Sequence, residues 1–140
     1  MKNKKLKGVL IKTDGTCKIV EIVDTLDNLY NVCECSCIDI VSRRIGGKMF
    51  DIVLDDEGLL RDAPIMTAIR RDAKEMLFGN LFIVKNDGKG NLKSLNEEEI
   101  ASVRSLIKKD GVLLIDNPIE EDIKRTKELI KAFGGNVIIC

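Results

Sequence analysis

Three thiols fall within five residues in Cys33-Glu34-Cys35-Ser36-Cys37. Soft thiolates bind zinc tetrahedrally at about 2.3 Å, which sets neighbouring sulfurs about 3.8 Å apart. In an extended strand alternate residues lie about 6.6 Å apart and the outer pair about 13 Å apart. The three sulfurs can therefore share an ion only if the segment is a turn. A fourth ligand must come from elsewhere. Cys17 is the first choice, because it opens a strand whose following helix could carry the chain back to it. Cys140 is the alternative, and Glu34 or a water is weaker. Such a closed site is structural, since four thiolates leave no position for substrate. The competing readings are inert buried thiols and a redox pair. The second is the weaker, because no two cysteines have the two-residue gap of the common redox motif.

The other chemical constellations have cheaper explanations. With no histidine in the chain, imidazole bases and imidazole metal ligands are excluded. Asp55-Asp56-Glu57, with Asp51 and Asp62 near, reads as a carboxylate-rich turn before a hard-metal site. Asp87-Gly88-Lys89-Gly90-Asn91 has the look of a phosphate loop, yet it lacks the GxxxxGK[ST] spacing and follows a strand without opening a helix. Arg43-Arg44 and Arg70-Arg71 read first as solvated edges, and Glu97 to Glu99 as a helix start.

The elements that must position these groups are readable from periodicity and punctuation. Residues 6–12 and 17–24, rich in Val and Ile around Asp14-Gly15, predict a hairpin. Asp24 or Thr25 caps a helix that buries Leu26, Leu29, Tyr30 and Val32 and stops near Cys33. A second hairpin turns at Gly46-Gly47, with Ile38 to Val41 in one strand and Met49 to Leu54 in the other. Pro64 predicts a short helix carrying Ile65, Ala68 and Ile69 inward. Asn80 to Val84 predicts the central strand. Asn96 and Glu99 open a helix that closes at Lys108, Lys109 and Gly111. The last thirty residues predict strand, helix and strand: 112–115, then 118–133, then 136–140, with the two strands parallel.

That order of elements gives an α+β fold with a mixed, mainly antiparallel sheet and a C-terminal strand-helix-strand extension. Residues 1–110 form the main unit with the cysteine cluster, and 111–140 pack on the same core. The chain has 140 residues, 44% hydrophobic and 33% charged, which suits one globular domain. Its 23 basic and 23 acidic residues cancel, disfavouring a global grip on nucleic acid and DNA mimicry by unpaired carboxylates. With no secretory h-region and no membrane-length apolar run, the expected compartment is the cytoplasm, where cysteines stay reduced.

Residues 6–109 resemble a widespread family of small uncharacterised proteins of phages and other mobile elements of Firmicutes, catalogued as a domain of unknown function. The resemblance lies in the opening hairpin, Thr25-Leu26-Asp27-Asn28-Leu29, Ile38-Asp39-Ile40-Val41, and Asp51 to Gly58. It continues through Pro64, Ala68, Gly79 to Val84 with Asp87 and Gly88, and Ser94 to Glu98. The cysteine cluster departs from the family pattern, and the tail from 111 is an extension. The resemblance implies a stoichiometric binder without catalysis, similar to zinc-containing anti-CRISPR inhibitors of the type II effector nuclease. Expected contacts are Arg43, Arg44, Arg70 and Arg71, with Lys124, Arg125, Lys127 and Glu128 of the tail helix. The rival expectations are a sponge or sensor for a nucleotide second messenger, using Gly88 and Gly90, and a metal-dependent enzyme with Glu34 as base.

Overall fold

The computed structural model describes residues 4–58 and 63–118. The opening hairpin is β1 (Lys5–Ile11) and β2 (Cys17–Val23), in register from Lys5 opposite Val23 to Ile11 opposite Cys17. Helix α1 (Leu26–Cys33) follows, capped by Thr25, whose hydroxyl accepts the Asn28 amide at 3.2 Å. The second hairpin, β3 (Ile38–Ile45) and β4 (Lys48–Asp55), turns at Gly46-Gly47, both with positive φ. Strand β7 (Leu81–Asn86) pairs β1 on one side and β4 on the other, giving the order β2-β1-β7-β4-β3. The short β8 (Leu92–Lys93) pairs the far end of β7. The run read as the central strand is central because every residue from Leu81 to Val84 is buried, as a strand covered on both faces requires.

The segment after Pro64 departs from expectation. It is a strand, β5 (Met66–Arg70), paired antiparallel with β6 (Met76–Phe78) and parallel with β9 (Leu113–Ile115). Proline at a first helical position is permissive and not compelling. Here Ala68 stands between Leu77 and Leu113, partners 9 and 45 residues away, and that pairing overrides local preference. Ile65 is left exposed while Ala68 is fully buried. The parallel neighbour of β9 is therefore β5. Its other flank is taken by residues 106–108, through Ile107 opposite Leu113 and the Leu114 amide on the Leu106 carbonyl. The expected partner strand 136–140 and helix 118–133 lie outside the described residues, apart from Pro118.

Side chains alternate between two cores, one on each face of the main sheet. On the first face Val9, Ile11, Phe50, Ile52, Leu81 and Ile83 pack with Ala68, Leu77, Leu113 and Ile115 of the small sheet. Ile100 and Val103 of α2 (Glu97–Ser105) complete this core. On the second face Leu6, Leu10, Val53, Phe82 and Val84 pack with Leu29 and Cys33 of α1. Leu26, expected inside, is exposed. Helix α2 opens with the expected reciprocal cap, Asn96 and Glu99 each accepting the other's backbone amide at 2.8 Å. It ends at Ser105, short of Lys108, because 106–108 are drawn into pairing with β9. Lys85 on β7 bonds Glu99 at 2.8 Å and fastens the helix to the sheet. Burial works against the Glu99 carboxylate, but the Asn96 amide and the Lys85 ammonium outweigh it and hold the pKa below the ordinary value. Among the described residues no helix is long and apolar enough to cross a membrane.

Candidate functional site

The cysteine segment is a turn, as shared ligation would demand. Glu34 caps α1 in the left-handed region at φ 53°, and the Cys35 amide reaches back to the Tyr30 carbonyl at 3.1 Å. The Cys37 carbonyl then accepts the Asp56 amide at 3.0 Å and leads the chain into β3. The three sulfurs nonetheless occupy different environments. Cys33 is buried and its thiol donates to the Val53 carbonyl at 3.4 Å. Burial first, then the neighbouring Cys35 and Asp55, pushes its pKa up to about 12, so without a cation beside it the thiol is neutral at physiological pH. Cys35 is half-buried against the same core, and Cys37 is exposed.

Cys17 is not brought to this turn. It packs against the core on the first face of the sheet, whereas Cys33 and Cys35 belong to the core on the second, so the sheet itself lies between them. The reason is register: Cys17 stands opposite Ile11, whose side chain points to the first face. Burial raises the Cys17 pKa as well. Among the described residues no three of His, Cys, Asp and Glu converge as an ion requires. Cys17 therefore does not join Cys33, Cys35 and Cys37 in one donor set in this arrangement. Cys140 lies outside the described residues.

The four arginines fare differently. Arg43 and Arg44 lie near the end of β3, Arg70 ends β5 and Arg71 follows it, and the fold brings the Arg43 side chain and the Arg44 carbonyl to the seam between the two sheets. Arg43 grips Glu75 with two bonds of 2.6 Å, Nε to one oxygen and Nη2 to the other. Glu75 is buried, and its carbonyl also accepts the Arg70 amide at 2.9 Å. Arg70 holds Asp72 at 2.7 Å; that hydrogen bond raises the arginine's pKa and lowers the aspartate's. Asp116 sits between the sheets. Its amide donates to the Arg44 carbonyl at 2.9 Å, its carboxylate accepts the Gly47 amide at 2.8 Å, and Arg71 lies 3.5 Å from it. Arg43 joins the sheets through a bidentate, charge-assisted pair with Glu75, and Asp116 joins them through the Arg44 carbonyl and the Gly47 amide. Arg71 alone of the three with a described ion pair keeps nearly half its side chain in solvent. Lys124, Arg125, Lys127 and Glu128 lie outside the described residues.

Two further constellations are turns, as their composition predicts. The 86–91 loop spends its amides on itself: Asp87 accepts from Lys89 at 2.7 Å and Asn91 at 3.2 Å, while Asn86 accepts from Gly88 at 2.9 Å. The Lys89 amide, then the Asn91 side chain, hold the Asp87 pKa low. A carboxylate thus sits where a phosphate would need open donors. The acidic turn is likewise internal, with Asp55 accepting the Glu57 amide at 2.9 Å.

Sequence reasoning missed Asn80. It is buried at the start of β7, accepts the Thr13 amide at 3.1 Å, and donates to the Val32 carbonyl at 3.2 Å and the Glu34 carboxylate at 2.5 Å. One side chain thereby joins the first hairpin turn, the end of α1 and the cysteine turn. Its signal was a polar residue between a glycine and the most apolar run in the chain. Asp51 was also missed as a buried anchor; it accepts from Ser42 at 2.7 Å and Asn86 at 3.1 Å.

Searches of curated proteins and of solved structures find no match to the chain. A family model does match, over residues 6–108, and this span takes in every described element up to α2 while β9 and the tail fall beyond it. The chain belongs to the family described as a domain of unknown function, DUF3846.

Proposed function

We propose that this chain is a phage- or prophage-encoded binding protein that works in the bacterial cytoplasm by occupying the surface of a defence protein, with the type II CRISPR effector nuclease as target. The target is carried by the resemblance to small phage inhibitors. The binding mode is supported by one observation: the buried polar side chains are spent on the scaffold, while large apolar ones are left outside. Asp51, Thr67, Glu75 and Asn80 each hold a hydrogen bond within the fold. Ile40 and Met49, by contrast, are 44% and 48% exposed. The register sets both on the second face of the β3–β4 hairpin, with Ser42 and Asp51 between them. An apolar strip broken by polar groups and rimmed by arginine is the composition of a protein contact. The loop that would have served a nucleotide signal has its amides occupied, so the sponge reading has no comparable support.

The test is capture of purified type II nuclease, with and without guide RNA, by the full chain, alongside target-DNA cleavage at excess protein. The expected result is a stable complex, loss of DNA loading, and weakening of capture by Met49→Glu by about tenfold or more. Unimpaired cleavage at excess protein, with no complex formed, contradicts the reading.

A further inference from the structure

The two outer strands of the main sheet are finished differently. In β3 the Asp56 amide on the Cys37 carbonyl fixes the phase of the ladder, so the backbone groups of Ile38, Ile40, Ser42 and Arg44 point away from β4. This edge is guarded by the chain itself. Asp39 accepts the Ile40 amide at 2.8 Å, Arg43 donates to the Ser42 carbonyl at 2.8 Å, and Asp116 donates to the Arg44 carbonyl at 2.9 Å. Side chains and loops that occupy outward groups are a known means of blocking strand addition.

In β2 the phase is fixed by the Lys12 amide on the Thr16 carbonyl and the Asp24 amide on the Lys4 carbonyl. The even-numbered residues therefore face β1, and Cys17, Ile19, Glu21 and Val23 face outward. The Val23 carbonyl is taken by Thr25 and Asn28. Among the described residues the backbone groups of Cys17, Ile19 and Glu21 on this edge have no partner. The strand is seven residues long, contains no proline, and its pairing with β1 runs without a bulge. Ile19 is 46% exposed, and exposed Leu26 lies three residues beyond the strand's end.

We infer that β2 is a docking edge for the β2 of a second copy, pairing antiparallel about a twofold axis at Val20. Only a β-strand presents donors and acceptors at the spacing this edge needs, and this strand is compatible with itself. Centred on Val20, all seven residues overlap: Ile19 meets Glu21 of the second copy, Lys18 meets Ile22, and Cys17 meets Val23. No like charges are opposed. Charge also limits slippage, because centring on Glu21 sets two carboxylates together and centring on Lys18 sets two ammonium groups together. The amides and carbonyls of Ile19 and Glu21, the central odd pair, are open, while at the outer Cys17 and Val23 pair the Val23 carbonyl is already taken.

Sedimentation of the full chain over a concentration series tests this, with amide hydrogen exchange as the local readout. The expected result is a doubling of mass at high concentration and concentration-dependent slowing of exchange at Ile19 and Glu21, amides that β1 leaves open. Ile19→Pro removes one outward donor without touching the β1 ladder, and Ile19→Lys places a guard on the edge. Both variants should remain monomeric with the wild-type melting temperature. A wild-type chain monomeric at its highest soluble concentration overturns the inference. So does a dimer that survives Ile19→Lys with unprotected Ile19 and Glu21 amides.

Discussion

Gly8→Ala, the addition of one methyl group, should lower stability by about 3 kcal/mol or more, with a melting temperature depressed by ~10 °C. A Cβ at Gly8 would stand 2.3 Å from the Ile83 carbonyl oxygen, 2.8 Å from a Val84 methyl and 3.0 Å from the Phe82 ring. The first of these is backbone in the central strand and cannot rotate away. The position lies in β1 on the face where Leu6, Leu10, Phe82 and Val84 form the second core, so the methyl would wedge β1 from β7 at the middle of the sheet. Native stability is typically only 5–15 kcal/mol, so the loss is a large share of the total. Thermal melting followed by circular dichroism measures it, and a wild-type melting curve would show that β1 and β7 are not this close.

Asn80→Ala should cost about 1–3 kcal/mol, since removal strands a Thr13 amide and a Val32 carbonyl that each lose a partner at a half-buried site. The loss should be local as well as global. Hydrogen exchange in Asn80→Ala is expected to speed first at Thr13, at the end of α1 around Val32 and across residues 33–37, the three places the side chain ties together. Asn80→Asp tests the same hub more gently, since it keeps the acceptor for Thr13 but sets a carboxylate against Glu34. Uniform loosening of the whole sheet, with no earlier change at the cysteine turn, would mean that Asn80 does not organise that turn.

Much of the scaffold is legible in the sequence because local chemistry and tertiary packing agree there. Asp14-Gly15, Thr25, Gly46-Gly47 and the Asn96 and Glu99 pair each specify a turn or cap, and each is found in place. The small sheet is not legible, because what makes β5 a strand is distant: Leu77 on one side and Leu113 on the other. The same holds for the chemically interesting residues. Arg43-Arg44 and Arg70-Arg71 stand out as charge pairs, but their partners Glu75 and Asp116 are 32 and 45 residues away from Arg43 and Arg71. Of the arginines the resemblance offered as contacts, Arg43 is, in the fold, part of a seam. The cysteine turn shows the reverse limit: its shape follows from the helix stop at Glu34, yet the face on which Cys17 falls is decided by hairpin register.

The central claim is that the polar groups singled out by the sequence are spent on holding the fold and that the thiols are not gathered into one site, so that function is left to the exterior. Elemental analysis of the full chain purified without added metal, with Cys17→Ser and Cys37→Ser beside the wild type, tests it most directly. Zinc well below one per chain, and melting temperatures in both variants equal to the wild type, are the expected results. One zinc per chain, lost together with stability when Cys37 is replaced, would contradict it, because a structural zinc site contributes on the order of 10 kcal/mol to folding and would make the cysteine turn a metal centre.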